Sequence, residues 1–239
     1  LPSKRYLGIN TRRLQKRELK EVIGLSLMNQ ASTYWQKEDY KKTIALYEEA
    51  LPFLPEDPLL NLLLGYNYLF IKEKKKGKAL LKPLKNTPFD SAVYKETTPE
   101  DFLKNRVNAK GIKTIFLPVD NTRESILDKQ KKLKKILKKY PKFREGLFHL
   151  ATTYLQLGRD QEALKVLNRY HKIDPNNPTV EYYLTILCIE RFQYEQSWKH
   201  LKKAQAIVEK RDHHPTSLKE LYHYLRTLSP DPDDREISH

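Results

Sequence analysis

Apolar residues in this chain fall at helical spacing, and one stretch shows the pattern most clearly. Between 147 and 175 the order is Leu147, Leu150, Ala151 and Tyr154, then Gly158, then Ala163, Leu167 and Pro175. The first four share one face of a helix, Gly158 interrupts it, Ala163 and Leu167 mark a second helix, and Pro175 ends it. The grammar recurs at a shift of 34 residues. Gln30, Ala31 and Tyr34 are repeated by Leu64, Gly65 and Tyr68, and Leu184, Cys188, Trp198, Leu201 and Ala204 keep equivalent places downstream. A fixed period of this size predicts stacked helix hairpins, each burying its apolar stripe against the next. Gly or Ala recurs in the first helix because helices approach closely only where a side chain is small.

The pattern predicts a helix over 18–37, with Leu27, Ala31 and Tyr34 on one face, and a partner opened by Asp39 that carries Ile44, Tyr47, Ala50 and Leu51. A second unit starts at Pro58. Its returning helix, near 75–85, is expected to be short or broken, because Ala79 falls two residues late and Pro83 lies inside the pattern. Residues 86–122 lose the period. Within them Thr98-Pro99-Glu100-Asp101 reads as a helix start, and Ile112 to Leu117, after Gly111, reads as extended. Gly65 and Ala151 lie 86 residues apart, two periods plus 18, so one degenerate unit with an insertion is expected between them. Its returning helix survives as 124–140. Clear units follow over 141–175 and 178–210. A last amphipathic helix after Pro215 (Leu218, Leu221, Tyr222, Leu225) is expected to cover the open apolar edge. The domain reading is a basic lead-in over 1–17, a first pair of repeats over 18–85, an irregular insertion over 86–123, a second array with its capping helix over 124–228, and an acidic disordered tail over 229–239.

This grammar resembles the tetratricopeptide repeat family, most specifically over 141–210 and less so over 24–72. The resemblance implies an all-α, right-handed solenoid of helix-turn-helix units. It further implies a concave groove, lined by the first helix of each pair, that binds peptides, partner proteins or the protein's own chain. The stretch Tyr6 to Trp35 also looks like the start of the repeat region in bacterial proteins with an upstream transglutaminase-like domain. First-helix positions not used for pair packing should face the groove. They read Met28, Ser32 and Trp35; Leu62, Tyr66, Leu69 and Phe70; Phe148, Thr152 and Leu155; and Tyr182, Ile186 and Ile189. That wall is apolar and aromatic, suited to an amphipathic helix or an extended apolar segment. Exposed patches of that kind rarely persist on monomers, so the chain's own 98–106 helix or Ile112 to Val119 is an equal candidate occupant. Trp35, Tyr66, Phe70, Phe148 and Tyr182 are the expected contact anchors, since aromatic side chains dominate interface energetics. The family's clamp for chaperone C-terminal carboxylates needs Lys, Asn and Arg where this chain has Met28, Ser32, Leu63, Glu145 and His149, so that partner class is set aside.

Charge changes the picture in two places. The net charge is +15 with a pI near 9.6, and residues 1–20 contribute +6 and residues 124–144 +7 of it. Lys131, Lys134, Lys135 and Lys138 could meet nucleic acid or an anionic membrane surface. The preferred reading is a solvated outer face, because the run is nearly all Lys, with little Arg or aromatic residue to grip or stack on bases. The single cysteine, Cys188, sits at an apolar helix position and reads as a buried inert thiol. His213, His214 and His223 match no common zinc spacing, and His149 and His171 read as ordinary surface or groove residues. No phosphate loop, nucleophile elbow or Cys–His pair is present, so neither an enzyme nor a cofactor is expected. No apolar run reaches a membrane span, and the absence of a signal peptide favours an intracellular location. The chain starts at Leu1, so an upstream segment is expected. The functional expectation is a protein–protein interaction scaffold. The alternatives are a secretion-type chaperone holding an export substrate, and the non-catalytic half of a larger, for example transglutaminase-like, enzyme.

Overall fold

The computed structural model describes residues 18–85, 96–120, 122–210 and 216–236, which contain helices and no strand. They fall into two compact units, 18–85 with 96–118, and 119 onward. The lead-in over 1–17 and His213 and His214 lie outside the described residues.

In the first unit, α1 (Leu19–Gln36) and α2 (Tyr40–Ala50) form one hairpin and α3 (Pro58–Phe70) and α4 (Lys74–Leu81) another. Their starts are written in side chains. Glu18 and Glu21 form a capping box, the Asp39 carboxylate accepts from the Lys42 N–H, and Asp57 accepts from the N–H groups of Leu59 and Leu60 with Pro58 in the first turn. The core between the hairpins holds Met28, Ala31, Ile44, Tyr47, Leu60, Leu64 and Tyr68. Tyr68 donates to Glu48 on α2.

Both units use the same inter-helix turn. The first helix of each repeat ends on a left-handed residue: Glu38, Lys72, Gly158 and Phe192, with φ of 58, 70, 66 and 59°. The following N–H then reaches back to the carbonyl of Tyr34, Tyr68, Tyr154 or Cys188 at 2.8 to 3.0 Å. This closure satisfies orphan carbonyls and turns the chain into the second helix. Two columns of small residues let the paired helices touch. Ala31, Gly65, Ala151 and Thr185 form one, and Thr43, Gly77, Ala163 and Ser197 the other; all are buried. Gly77, not Ala79, is therefore the small residue of α4, and the period holds there. The helix is still short, at eight residues.

The extended segment expected over Ile112 to Leu117 is instead α6 (Ala109–Ile115), preceded by α5 (Thr98–Leu103). The Asn108 side chain accepts from the Gly111 N–H and caps α6, so a local cap outweighs the β-branched residues that suggested a strand. The helix start at 98 holds, although Thr97 occupies the cap position and Pro99 the second place. Residues 96–118 pack with 18–85 as one unit and do not stand apart as a separate insertion.

The second unit holds α7 (Arg123–Lys139), α8 (Arg144–Gln156), α9 (Asp160–Ile173), α10 (Pro178–Ile189), α11 (Tyr194–Glu209), α12 (Thr216–Leu228) and α13 (Pro232–Glu236). Every residue of α10 is buried. Arg144 at the start of α8 pairs with Asp174 at the end of α9, 3.0 Å apart and both almost wholly buried. Leu218, Leu221 and Leu225 of α12 are buried, and Tyr222 stacks edge-on against Trp198 at 5.3 Å. The segment expected as a disordered tail is held down where it is described. Lys202 bonds Asp231 at 2.5 Å, Arg226 bonds Asp234 at 2.8 Å, and α13 follows Asp231. Its acids find cations on α11 and α12, a pairing that composition does not reveal.

Candidate functional site

The aromatic residues expected along the groove divide into core and surface. In the first unit Met28 lies in the core between the two hairpins, and Leu62 and Tyr66 are 4% and 0% exposed. None of the three offers a face to a partner, which corrects their reading as groove contacts. Trp35 and Phe70 are only partly buried, and their rings meet edge-on at 5.7 Å.

The unit supplies part of its own cover. Phe116, just past α6, packs against Trp35 at 5.3 Å and Tyr66 at 5.7 Å between ring centroids. The segment weighed as an internal occupant therefore does lie on first-helix aromatics, as a helix and its exit. Phe116 is nonetheless 41% exposed. Beside it an open recess of about 560 Å³ remains, lined by Ser32, Trp35, Gln36, Tyr40, Leu63, Phe70, Lys113 and Phe116 among others. Tyr40 closes one side by an edge-on contact with Phe70 at 5.2 Å. The rim is charged: the Lys113 ammonium lies 2.7 Å from Glu38 and 5.1 Å from the Tyr40 ring centroid. Burial works against the Lys113 charge, but hydrogen bonds to Glu38 and Tyr40 outweigh it and raise its pKa. Tyr40, Lys113 and Phe116 were not legible as site residues. Only the fold brings 113–118 back over α1 and α3, across a sequence gap of more than 40 residues.

In the second unit Phe148 and Leu155 of α8 are partly buried. The Phe148 ring stacks edge-on against Tyr183 at 5.6 Å. Tyr182 and Ile186, at 6% and 3% exposure, sit in the fully buried α10 and are not available as contact residues either. Beside Phe148, burial pushes the His149 pKa down to about 3, with the charge of Lys129 adding to the effect. Lys131, Lys134, Lys135 and Lys138 project from the exposed face of α7, whose buried stripe is Ile126, Gln130, Leu133, Ile136 and Leu137. Lys134 is partly engaged, 3.1 Å from the Gln130 side-chain oxygen and 5.2 Å from the Tyr154 ring centroid. Cys188 is buried, and its surroundings raise the thiol pKa, so it is not a ready nucleophile. No described helix is long and apolar enough to cross a membrane.

Comparison with curated proteins gives no match. Among solved structures the chain is similar to a thermophilic tetratricopeptide repeat protein of Thermus thermophilus, at 15% identity and a TM-score of 0.41, over 84% of this chain and 98% of the other. It is also similar to PilW, a widely conserved type IV pilus biogenesis factor, at 18% identity and a TM-score of 0.45, over 88% of each. A tetratricopeptide repeat protein of Parabacteroides merdae matches at 13% identity and a TM-score of 0.44, over 83% of this chain and 69% of the other. These likenesses are loose. The sharper match is to the tetratricopeptide repeat family model, over residues 130–185, which run from α7 into α10. Repeats of this family are in general scaffolds for protein–protein interaction, binding proteins or peptides, and are typically not catalytic. Over residues 130–185, with their helix hairpins and the left-handed turn at Gly158, the chain matches the tetratricopeptide repeat family.

Proposed function

We propose that the first unit is a peptide-binding module whose recess beside Phe116 takes apolar side chains from a partner protein. The observation that carries this reading is an open, aromatic-walled recess built by Trp35, Phe70 and Phe116 and rimmed by Lys113 and Glu38. Such a site combines apolar contact area with a few polar groups that orient the ligand. Aromatic anchors in a pocket carry most of the affinity of interfaces of this kind. The partner segment best suited is an amphipathic helix or extended peptide that presents one or two large apolar residues. It would share the surface with Phe116, which occupies part of the first-helix aromatic face already.

The test uses the full chain and a displayed library of amphipathic peptides. Selected peptides should perturb the fluorescence of Trp35, since the other tryptophan, Trp198, is 1% exposed and lies in the second unit. Phe116→Glu should weaken their binding at least tenfold, about 1.4 kcal/mol, with little change in melting temperature because that ring is substantially exposed. Peptides that bind Phe116→Glu as well as the parent would refute the recess as the site.

A further inference from the structure

Three consecutive helices of the second unit bring His171 (α9), Glu181 (α10) and His200 (α11) together. The imidazole Nδ1 atoms of His171 and His200 lie 2.8 and 2.7 Å from the two oxygens of the same carboxylate. The three candidate ligand atoms all lie within 4.8 Å of one another. Glu181 has no exposed surface, while the two histidines keep 26% and 21% of theirs, so the cluster opens to solvent on the imidazole side. His200 makes an ordinary hydrogen bond to Oε2. The approach of His171 to Oε1 is different: the atoms are close, yet neither is aligned with a hydrogen-bond partner, and both are buried. Oε1 is ion-paired with the Lys203 ammonium at 3.2 Å, whereas the buried His171 Nδ1 has no aligned hydrogen bond, an arrangement that costs stability unless something else is bound there.

The repeat supplies an independent observation. Shifted back by 34 residues, the three positions are Leu137, Leu147 and Val166. All three are buried and apolar, at 4%, 0% and 7% exposure. The preceding repeat thus carries three buried apolar residues at these positions, as hairpin packing requires. The next repeat replaces all three with imidazole, carboxylate and imidazole. A buried carboxylate gains nothing for packing over leucine and is costly to desolvate. Three such replacements that converge on one point indicate a ligand.

We propose that His171, Glu181 and His200 form a binding site for a divalent transition metal ion of the zinc class, which ties α9, α10 and α11 together. Two imidazoles and one carboxylate are a donor set that suits zinc and is poorly matched to magnesium or calcium. A solvent molecule would complete the fourth position on the open side. Ligand atoms around tetrahedral zinc stand about 3.3 Å apart, and the three donors here already lie within 4.8 Å of one another. Lys203, whose ammonium lies 3.2 Å from Oε1, would be repelled by the ion and has a partly exposed side chain free to swing into solvent.

The experiment titrates chelator-treated full chain with zinc sulfate, read by calorimetry and thermal unfolding, with cobalt(II) as a spectroscopic probe. The expected result is one zinc per chain, a higher melting temperature with zinc and none with magnesium, and visible cobalt bands of a four-coordinate nitrogen–oxygen site. The variant carrying His171→Leu, Glu181→Leu and His200→Val restores the residues of the preceding repeat. It should fold, lose the zinc-dependent rise in melting temperature, and lose the cobalt bands. His200→Gln, a single change at a partly exposed position, should weaken zinc binding at least tenfold and serves if the triple variant does not fold. The proposal is overturned if the parent binds no zinc, or if the variants bind it as tightly as the parent and so place the ion on other histidines.

Discussion

At the residue scale, the inter-helix turn demands a left-handed backbone whatever side chain is present. Only Gly158 meets that demand without cost; at Glu38, Lys72 and Phe192 a side chain is carried into the left-handed region, where an L-residue loses roughly 1–2 kcal/mol. Glu38 has a compensation in its bond to Lys113. Phe192 is 78% exposed and gains little burial in return. Phe192→Gly should therefore raise stability by about 1 kcal/mol, and Gly158→Ala should lower it by a similar amount. A Cβ at Gly158 would meet nothing within 4 Å, so the loss would come from the backbone alone. Chemical denaturation of the two variants beside the parent checks both signs.

At the scale of elements, helix pairs are held at contact distance by their small-residue columns, and α3 with α4 shows a close approach at two glycines. A Cβ at Gly77 would stand 2.6 Å from Leu69 Cδ2 and 2.9 Å from the carbonyl oxygen of Gly65, a backbone atom that cannot step aside. Gly77→Ala should force α3 and α4 apart and cost about 1–3 kcal/mol. At Gly65 the nearest atom is the flexible end of Leu81, at 3.0 Å, and the equivalent positions in other repeats carry Ala31 and Ala151. Gly65→Ala should stay within about 1 kcal/mol of the parent, because the gain in helix propensity offsets a small repacking. Thermal unfolding of the two variants side by side would separate them; equal losses would contradict this account of the interface.

At the scale of the whole molecule, acid acts on a chain that already carries +15. Folding holds His149 neutral down to about pH 3, whereas in the unfolded chain it takes up a proton near its ordinary value of 6.5. The unfolded state therefore binds the extra proton first, and stability falls as pH drops below about 6.5, by at most about 1.4 kcal/mol per unit. Parent and His149→Gln should differ in this dependence. Between pH 7 and 5 the parent should lose at least about 1 kcal/mol more than the variant, measured by urea unfolding. Identical pH profiles would mean that His149 is hydrated and charged in the folded protein.

The period, the hairpin boundaries and most of the core were legible in the sequence, because a repeat writes its packing as a column. Ala31, Gly65, Ala151 and Thr185 recur where paired helices must touch, and Asp39 and Asp57 announce the helices they cap. Sequence alone therefore determined an all-helical repeat, and residues 130–185 match the family that repeat resembles. Helical spacing gives only the angle of a side chain about its own axis. It does not say what returns to cover that side chain, so Met28, Leu62 and Tyr66 read as groove residues until neighbouring hairpins and Phe116 closed over them. The same limit hid Asp231 beneath Lys202, and hid His171, Glu181 and His200, which no short motif joins. Contacts between residues far apart in sequence are made by the stacking of hairpins, so tertiary structure alone decided which aromatics line an open recess and which polar groups converge.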